Sequence, residues 1–334
     1  MGKKLVNILS IALIYCGAVF GAGFASGREI FTFFSCYKTA GIISSIFVGF
    51  LFSFFGFAVC RYAKMKELYN TEQYFKELFP DFFAKTFGLI ANVFLVLSFC
   101  IMITGCGALF FEQFKIAPIA GSLISLMICF ITIKNDVSGL KYFNFLATPF
   151  MIIGIVILCL ISDKREMVSK ENVFPAVFSG LLYISYNMVS AVAVLVSISK
   201  IAQNSNEAAV GGALGGVMVA VPLLLMTEVL AANPNLCDAA LPFFTLVSKT
   251  FPKLAIVCAI ILYLAMMTTA VSSGVSVLAG IAPKKSGKYA YLLCVLAFLT
   301  SFIPFTTLVQ TVYSAFGMIG IVLIIRIFIK IFRK

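Results

Sequence analysis

The sequence has no histidine and no tryptophan among its 334 residues, and only 11% of them are charged. Lack of histidine excludes Ser-His-Asp machinery, imidazole metal ligands and histidine proton relays together. Lack of tryptophan leaves tyrosine and phenylalanine to form any aromatic belt at a membrane surface. The ten cysteines contain no C-x-x-C pair, which excludes the usual thiol redox and zinc spacings. No G-x-x-x-x-G-K-[ST] stretch occurs, so ATP does not drive this chain directly. Soluble domains carry about 25% charged and roughly 45–50% apolar residues. A chain that is 62% hydrophobic, with a mean hydropathy of +1.09, therefore cannot be a soluble enzyme, a nucleic-acid binder or a disordered scaffold. The net charge of +12 does not revive nucleic acid, because the basic residues lie between apolar runs, where loop charges set topology.

What is present is hydrocarbon. A helix needs about 20 mostly apolar residues to cross a bilayer. Ten stretches qualify, at about 5–34, 39–62, 87–112, 117–133, 140–162, 174–199, 207–231, 253–281, 287–303 and 305–329. No cleavable leader is read, since the first apolar run continues into another apolar helix. With the N-terminus inside, the inner face collects Lys3 and Lys4, the basic residues of 61–85, Lys200, Lys284, Lys285 and Lys288, and the Arg326–Lys334 tail. The outer face holds fewer, among them Lys38, Lys115, Lys164, Arg165 and Lys170. That bias puts both termini in the cytoplasm; the expected location is a bacterial cytoplasmic membrane. Most cysteines fall inside apolar runs and read as small hydrophobes; only Cys36 and Cys237 share a face, where a disulfide is open. Residues 63–86 read as an interfacial helix capped by Asn70, and 232–252 as a re-entrant or capping helix. The basic residues of the last span are expected to snorkel to the headgroups.

The informative stretch is GAVFGAGFASGREI, Gly17 to Ile30. Gly17, Gly21, Gly23 and Gly27 each weaken a helix by up to about 1 kcal/mol relative to alanine. Two readings stay open. One is close helix packing through the small-xxx-small pairs Gly17–Gly21 and Gly23–Gly27. The other is a break whose freed N–H and C=O groups take an ion or a substrate. The sixth span, FSGLLYISYNMVSAVAVL, is also interrupted, by Ser179, Gly180, Ser185, Asn187 and Ser190. Corresponding interruptions in two five-helix halves are the pattern of an inverted-repeat transporter with a site at the bilayer midplane. In the eighth span Thr268, Thr269, Ser272, Ser273 and Ser276 share one side of a helix. Their oxygens suit a hard cation or bond back to their own helix. Asn92, Asn144 and Gln310 are expected to make helix–helix hydrogen bonds, and Glu228 to be interfacial.

The glycine motif, the ten spans and the YISYN interruption resemble the YkvI-type membrane proteins, a branch similar to the amino acid/polyamine/organocation transporter superfamily. The resemblance runs the length of the chain. It implies an all-α membrane protein of the LeuT type, with about ten transmembrane helices. These form a single domain over 1–334, a 5+5 inverted repeat (about 5–162 and 174–329) with helices 1 and 6 broken. It implies carbonyls of Gly17 and Phe20, with hydroxyls of Thr269, Ser272 or Ser273, around one sodium ion. Ala22 and Gly23 would present backbone N–H groups to a substrate carboxylate, Ser185, Tyr186 and Asn187 would face the substrate's other end, and Gly21, Ser26 and Tyr183 would line the same site. Arg28 and Glu29 would gate the outer side. Phe24 stands where sodium-coupled relatives place an asparagine ligand of a second sodium, which argues against a second ion. The fifth span lacks the mid-helix lysine that proton-coupled relatives can keep.

The function these features imply is secondary active transport of a small zwitterion, an amino acid or related amine, coupled to one sodium ion. No further cofactor and no partner beyond substrate and lipid are implied. Proton coupling, exchange and a non-transporting membrane protein remain alternatives. A membrane-embedded enzyme would need a base such as Glu29 or Glu228, and the apolar spans hold no pair of acids.

Overall fold

Inside a bilayer the backbone has no water to bond, so each apolar run must satisfy its own N–H and C=O groups as a helix. The computed structural model describes residues 2–134, 139–162, 172–279 and 286–332, and no β-strand occurs among them. The helices are α1 (Gly2–Val19), α2 (Ala22–Ala25), α3 (Arg28–Phe33), α4 (Lys38–Met65), α5 (Thr71–Leu78), α6 (Asp81–Phe114), α7 (Pro118–Lys134) and α8 (Gly139–Ile161). They continue with α9 (Val173–Ile198), α10 (Ser205–Ala231), α11 (Pro242–Thr250), α12 (Pro252–Ala279), α13 (Ser286–Thr300), α14 (Phe305–Leu308) and α15 (Ser314–Phe332). Each expected span has its helix or broken helix within a few residues. Among the described residues seven stretches are long and apolar enough to cross a membrane alone; Pro118–Thr132, Pro149–Ile161 and Lys288–Thr300 are shorter apolar helices. Lys164, Arg165, Lys170, Lys284, Lys285, Lys334 and the side chains of Ala22 and Asn144 lie outside the described residues.

Asparagine opens three of the helices. The side chains of Asn70, Asn172 and Asn204 accept from the backbone N–H of Glu72, Phe174 and Glu207 at 2.8, 3.1 and 2.9 Å, satisfying donors that a helix start leaves free. Glycine sets the tightest packing. On α10, Gly211 and Gly215 lie against Ile11 and Tyr15 of α1, while Gly212 and Gly216 lie against the backbone of Gly56 and Ser53 on α4. The four glycines give α10 two smooth faces a helical step apart, and α4 and α10 form the most extensive helix pair described.

Three expectations are corrected. The helix at 71–78 does not lay its apolar face on lipid: Tyr74, Phe75 and Leu78 are buried, and Tyr74 meets Tyr62 edge-on. Its apolar face is large enough to cover the end of the bundle. The C-terminal basic residues do not all snorkel. Lys330 pairs with Glu77 at 3.0 Å, with the Tyr62 hydroxyl donating to the same oxygen, and Arg326 lies over the Phe79 ring. Docking of 71–78 places an acid and a ring within their reach. The sixth span is not broken; α9 runs unbroken from Val173 to Ile198. Its polar residues are absorbed by the helix itself, as Ser185 Oγ donates to Leu181 O, Asn187 Nδ2 to Tyr183 O and Ser190 Oγ to Asn187 O.

The tenth span is irregular as well, with a π-helical turn at Val309–Tyr313 joining α14 to α15. Asn92 and Gln310 are exposed and make no side-chain hydrogen bond among the described residues, so they tie no helices together. Glu228 is half-buried. Cys36 and Cys237 are both exposed.

Candidate binding site at the broken first helix

The first span leaves helical geometry twice. At Phe20–Gly21 the Gly21 N–H donates to the Val19 carbonyl at 2.8 Å in place of Gly17, one turn back. As a result the carbonyls of Gly17 and Phe20 receive no main-chain hydrogen bond among the described residues. At Ser26–Gly27 the chain turns again, with Gly27 at φ 77°, a left-handed conformation that glycine adopts without strain. A Cβ there would also meet Phe243 and Leu230. Small-xxx-small packing does not account for the rest of the motif, since a Cβ on Gly21 would enter open space and one on Gly23 would meet the Glu29 carboxylate.

Glu29 is the centre of the arrangement. It is 4% exposed, its Oε1 lies against Gly23, and its Oε2 accepts from the Tyr186 hydroxyl at 2.6 Å. No lysine or arginine pairs with it among the described residues. Arg28, its neighbour, turns away and donates to the carbonyls of Cys237 at 2.7 Å and Ala239 at 3.3 Å. The ring of Tyr186, whose hydroxyl holds the carboxylate, stacks on Tyr313 at 4.6 Å and lies beside Phe33 at 5.7 Å, Tyr183 at 5.4 Å and Phe94 at 6.2 Å. The hydroxyl of fully buried Tyr183 has no hydrogen-bond partner among the described residues.

A strap covers this site. Residues 232–242 cross it, α11 buries Phe243 and Phe244, and Phe243 N–H donates to Ser26 O at 2.9 Å. The capping helix expected at 232–252 is therefore present. Beyond the strap is a cavity of about 440 Å³ walled by Asp238 and Ala240 of the strap together with Thr104, Ser301 and Phe305. Arg28 and Ser26 fasten the strap to the broken helix. Arg28→Ala removes a charged donor from two carbonyls, each such bond contributing about 1.5–3 kcal/mol. The purified variant is expected to melt several degrees lower, with Arg28→Lys recovering part of the loss because one ammonium reaches one carbonyl.

Of the residues singled out in the sequence, Gly23, Glu29, Tyr183 and Tyr186 come together. Ser26 donates to Gly23 O at 3.0 Å and holds the turn. Ser185 and Asn187 bond within α9 and do not face Glu29 through any hydrogen bond. Phe20 stacks near Phe24 at 4.1 Å. On α12, Thr268 and Thr269 donate to Ala265 O and Ser276 to Ser272 O, Ser273 is buried, and Ser272 is exposed. Each donated hydroxyl keeps its lone pairs. Sequence reasoning missed Tyr313, Phe33 and Phe94, which nothing in the apolar pattern separates from core. It also missed Glu207, 1% exposed at the start of α10 with neither oxygen hydrogen-bonded among the described residues.

The broken first span, the strap and the helix order define an integral membrane protein with the fold of the LeuT-type secondary transporters. Over 94% of its length the chain superposes on Mhp1 in its inward-facing conformation, covering 73% of that chain at a TM-score of 0.61 and 14% identity. It matches a Na+-coupled sialic acid symporter in a substrate-bound outward-open state over 94% of this chain and 75% of that one, at 0.56 and 13%. A manganese transporter of Eremococcus coleocola matches over 97% of this chain and 78% of that one, at 0.55 and 13%. These neighbours are membrane transporters and not enzymes. In sequence, the chain is similar to the uncharacterized membrane protein YkvI of Bacillus subtilis (strain 168), 26% identical over 94% of this chain and 93% of the relative. It is also similar to the uncharacterized protein YyaD of the same organism, 24% identical over 94% of both. No family model matches the sequence. The YkvI resemblance carried by the glycine motif thus extends over nearly the whole chain.

Proposed function

We propose that this chain is a secondary active transporter of a small amine-bearing solute, an amino acid or related amine, coupled to one sodium ion by alternating access. The observation that carries the proposal is the break at Phe20–Gly21. It leaves the Gly17 and Phe20 carbonyls without main-chain donors among the described residues, in the same segment whose Gly23 lies against the buried carboxylate of Glu29. Carbonyl oxygens of this kind suit a hard cation, and Thr269 and Ser273 offer further oxygens from α12. The repeats would be about 5–162 and 174–329, with both termini cytoplasmic, as the lysine and arginine bias supports. The sodium-coupled neighbour is compatible with sodium coupling. Glu29 favours a second reading, coupling to a proton, since a carboxylate at membrane depth is neutralised by a proton as well as by a cation.

The test is the melting temperature of the purified chain against amino acids and amines, in sodium and in potassium. A ligand at 100 times its Kd stabilises by about 2.7 kcal/mol. A shift with one solute that requires sodium is the expected outcome. A solute shift indifferent to sodium but dependent on pH transfers the proposal to proton coupling, and no shift with any solute removes it.

A further inference from the structure

The break offers main-chain groups to a ligand, yet the place beside Gly23 is already taken by the carboxylate of Glu29. A substrate carboxylate brought there would meet a like charge in a site with little water, which is strongly unfavourable. Arg28 does not relieve this, because its guanidinium is committed to the carbonyls of Cys237 and Ala239. A buried carboxylate held by one hydroxyl, without a cationic side chain, lacks a counter-charge. Around the ring of Tyr186, which holds the carboxylate, stand Tyr313, Phe33 and Phe94, and the Tyr183 hydroxyl has no hydrogen-bond partner among the described residues.

We propose that Glu29 is the recognition group for a cationic aliphatic amine: the ammonium pairs with Glu29, hydrogen-bonds the Tyr183 hydroxyl and lies among the aromatic rings. Ring faces attract a cation, most strongly when it is desolvated. The solute is thus read by its amine end, and a carboxylate on it is not required. This rests on the transporter reading for its physiological meaning, but binding is tested apart from transport.

The probes are n-butylammonium and butyrate, matched in length and opposite in charge, added to the purified full-length chain and read by thermal shift and isothermal titration. Butylammonium is expected to raise the melting temperature and butyrate to leave it unchanged. Glu29→Gln is expected to weaken butylammonium binding at least tenfold, and Tyr183→Phe to weaken it several-fold. If Glu29→Gln does not fold, Glu29→Asp withdraws the carboxylate by one methylene and is expected to weaken binding less than tenfold while keeping the amine preference.

Butyrate binding as well as butylammonium overturns the proposal, and so does a Glu29→Gln protein that binds the amine unchanged. Absence of any amine shift, with Glu29→Gln matching the parent at low pH and more stable than it as the pH rises, overturns it in favour of a proton. A sodium-dependent amino-acid shift equal in parent and Glu29→Gln overturns it while leaving the transporter reading intact. Glu29-dependent amine binding without uptake in proteoliposomes does the reverse.

Discussion

Gly23→Ala is expected to lower the melting temperature of the purified chain by several degrees and to abolish amine binding. The added Cβ falls on the Glu29 carboxylate. Side-chain carboxylates can swing, so the backbone does not have to move, but the swing breaks the bond from Tyr186. A hydrogen bond to a charged group contributes about 1.5–3 kcal/mol, and a carboxylate leaving that bond has few other donors within a ring of aromatics. Against this, alanine favours the short helix α2 by up to about 1 kcal/mol over glycine. The first effect is larger, so the substitution destabilises.

The sign reverses in a Glu29→Ala background. With the carboxylate gone, the notch is empty and only the helix preference remains, so Gly23→Ala becomes neutral or slightly stabilising. A double-mutant cycle measures the difference as coupling between the two residues. Equal costs in both backgrounds would show that something other than Glu29 fills the space.

The span count was legible because hydrophobic length is a strong signal where every buried backbone group must bond within its own helix. The break in the first span was legible for a related reason. Four glycines weaken a helix, and an Arg-Glu pair is costly inside hydrocarbon, so a continuous span through Gly17–Glu29 would be penalised twice. The sixth span misled because serine and asparagine are ambiguous in membrane helices. Their side chains either mark unwound backbone or return to a carbonyl one turn back, and in α9 Ser185, Asn187 and Ser190 do the latter.

The irregular turn before Tyr313 carries no such mark. VQTVY contains no glycine or proline, and its irregular geometry arises only in the tertiary fold. Glu29 was legible as an unusual charge but not in its role. Sequence places it next to Arg28 and invites a gate formed by both. The structure gives the two side chains different partners, Arg28 the carbonyls of Cys237 and Ala239 and Glu29 the hydroxyl of Tyr186. Residue order along a chain fixes neither rotamer nor partner when the helix breaks at the preceding glycine.

The same residue type yields opposite expectations where its surroundings differ, and this tests the packing account of α10. Gly216→Ala places a Cβ against the backbone nitrogen and Cα of Ser53 and the carbonyl carbon of Phe52. None of those atoms can rotate away, so α4 and α10 must separate along their most extensive contact. Without a hydrophobic drive between helices in lipid, close approach and dispersion hold the pair. A shift of even 0.5–1 Å forfeits a quarter to a half of each contact's attraction. Gly216→Ala is therefore expected to cost at least about 3 kcal/mol, at the upper end of overpacking effects, and to yield aggregated protein in size-exclusion chromatography.

Gly88→Ala supplies the contrast. Gly88 lies inside α6 with nothing within 4 Å of its would-be Cβ. There alanine only restricts the unfolded chain and favours the helix, so the variant should gain up to about 1 kcal/mol. If both substitutions were neutral, glycine on α10 would be incidental to helix approach. Opposite signs would place the stability of the bundle in the α4–α10 contact, which α10 shares with α1 through Gly211 and Gly215, immediately below the break that carries the site.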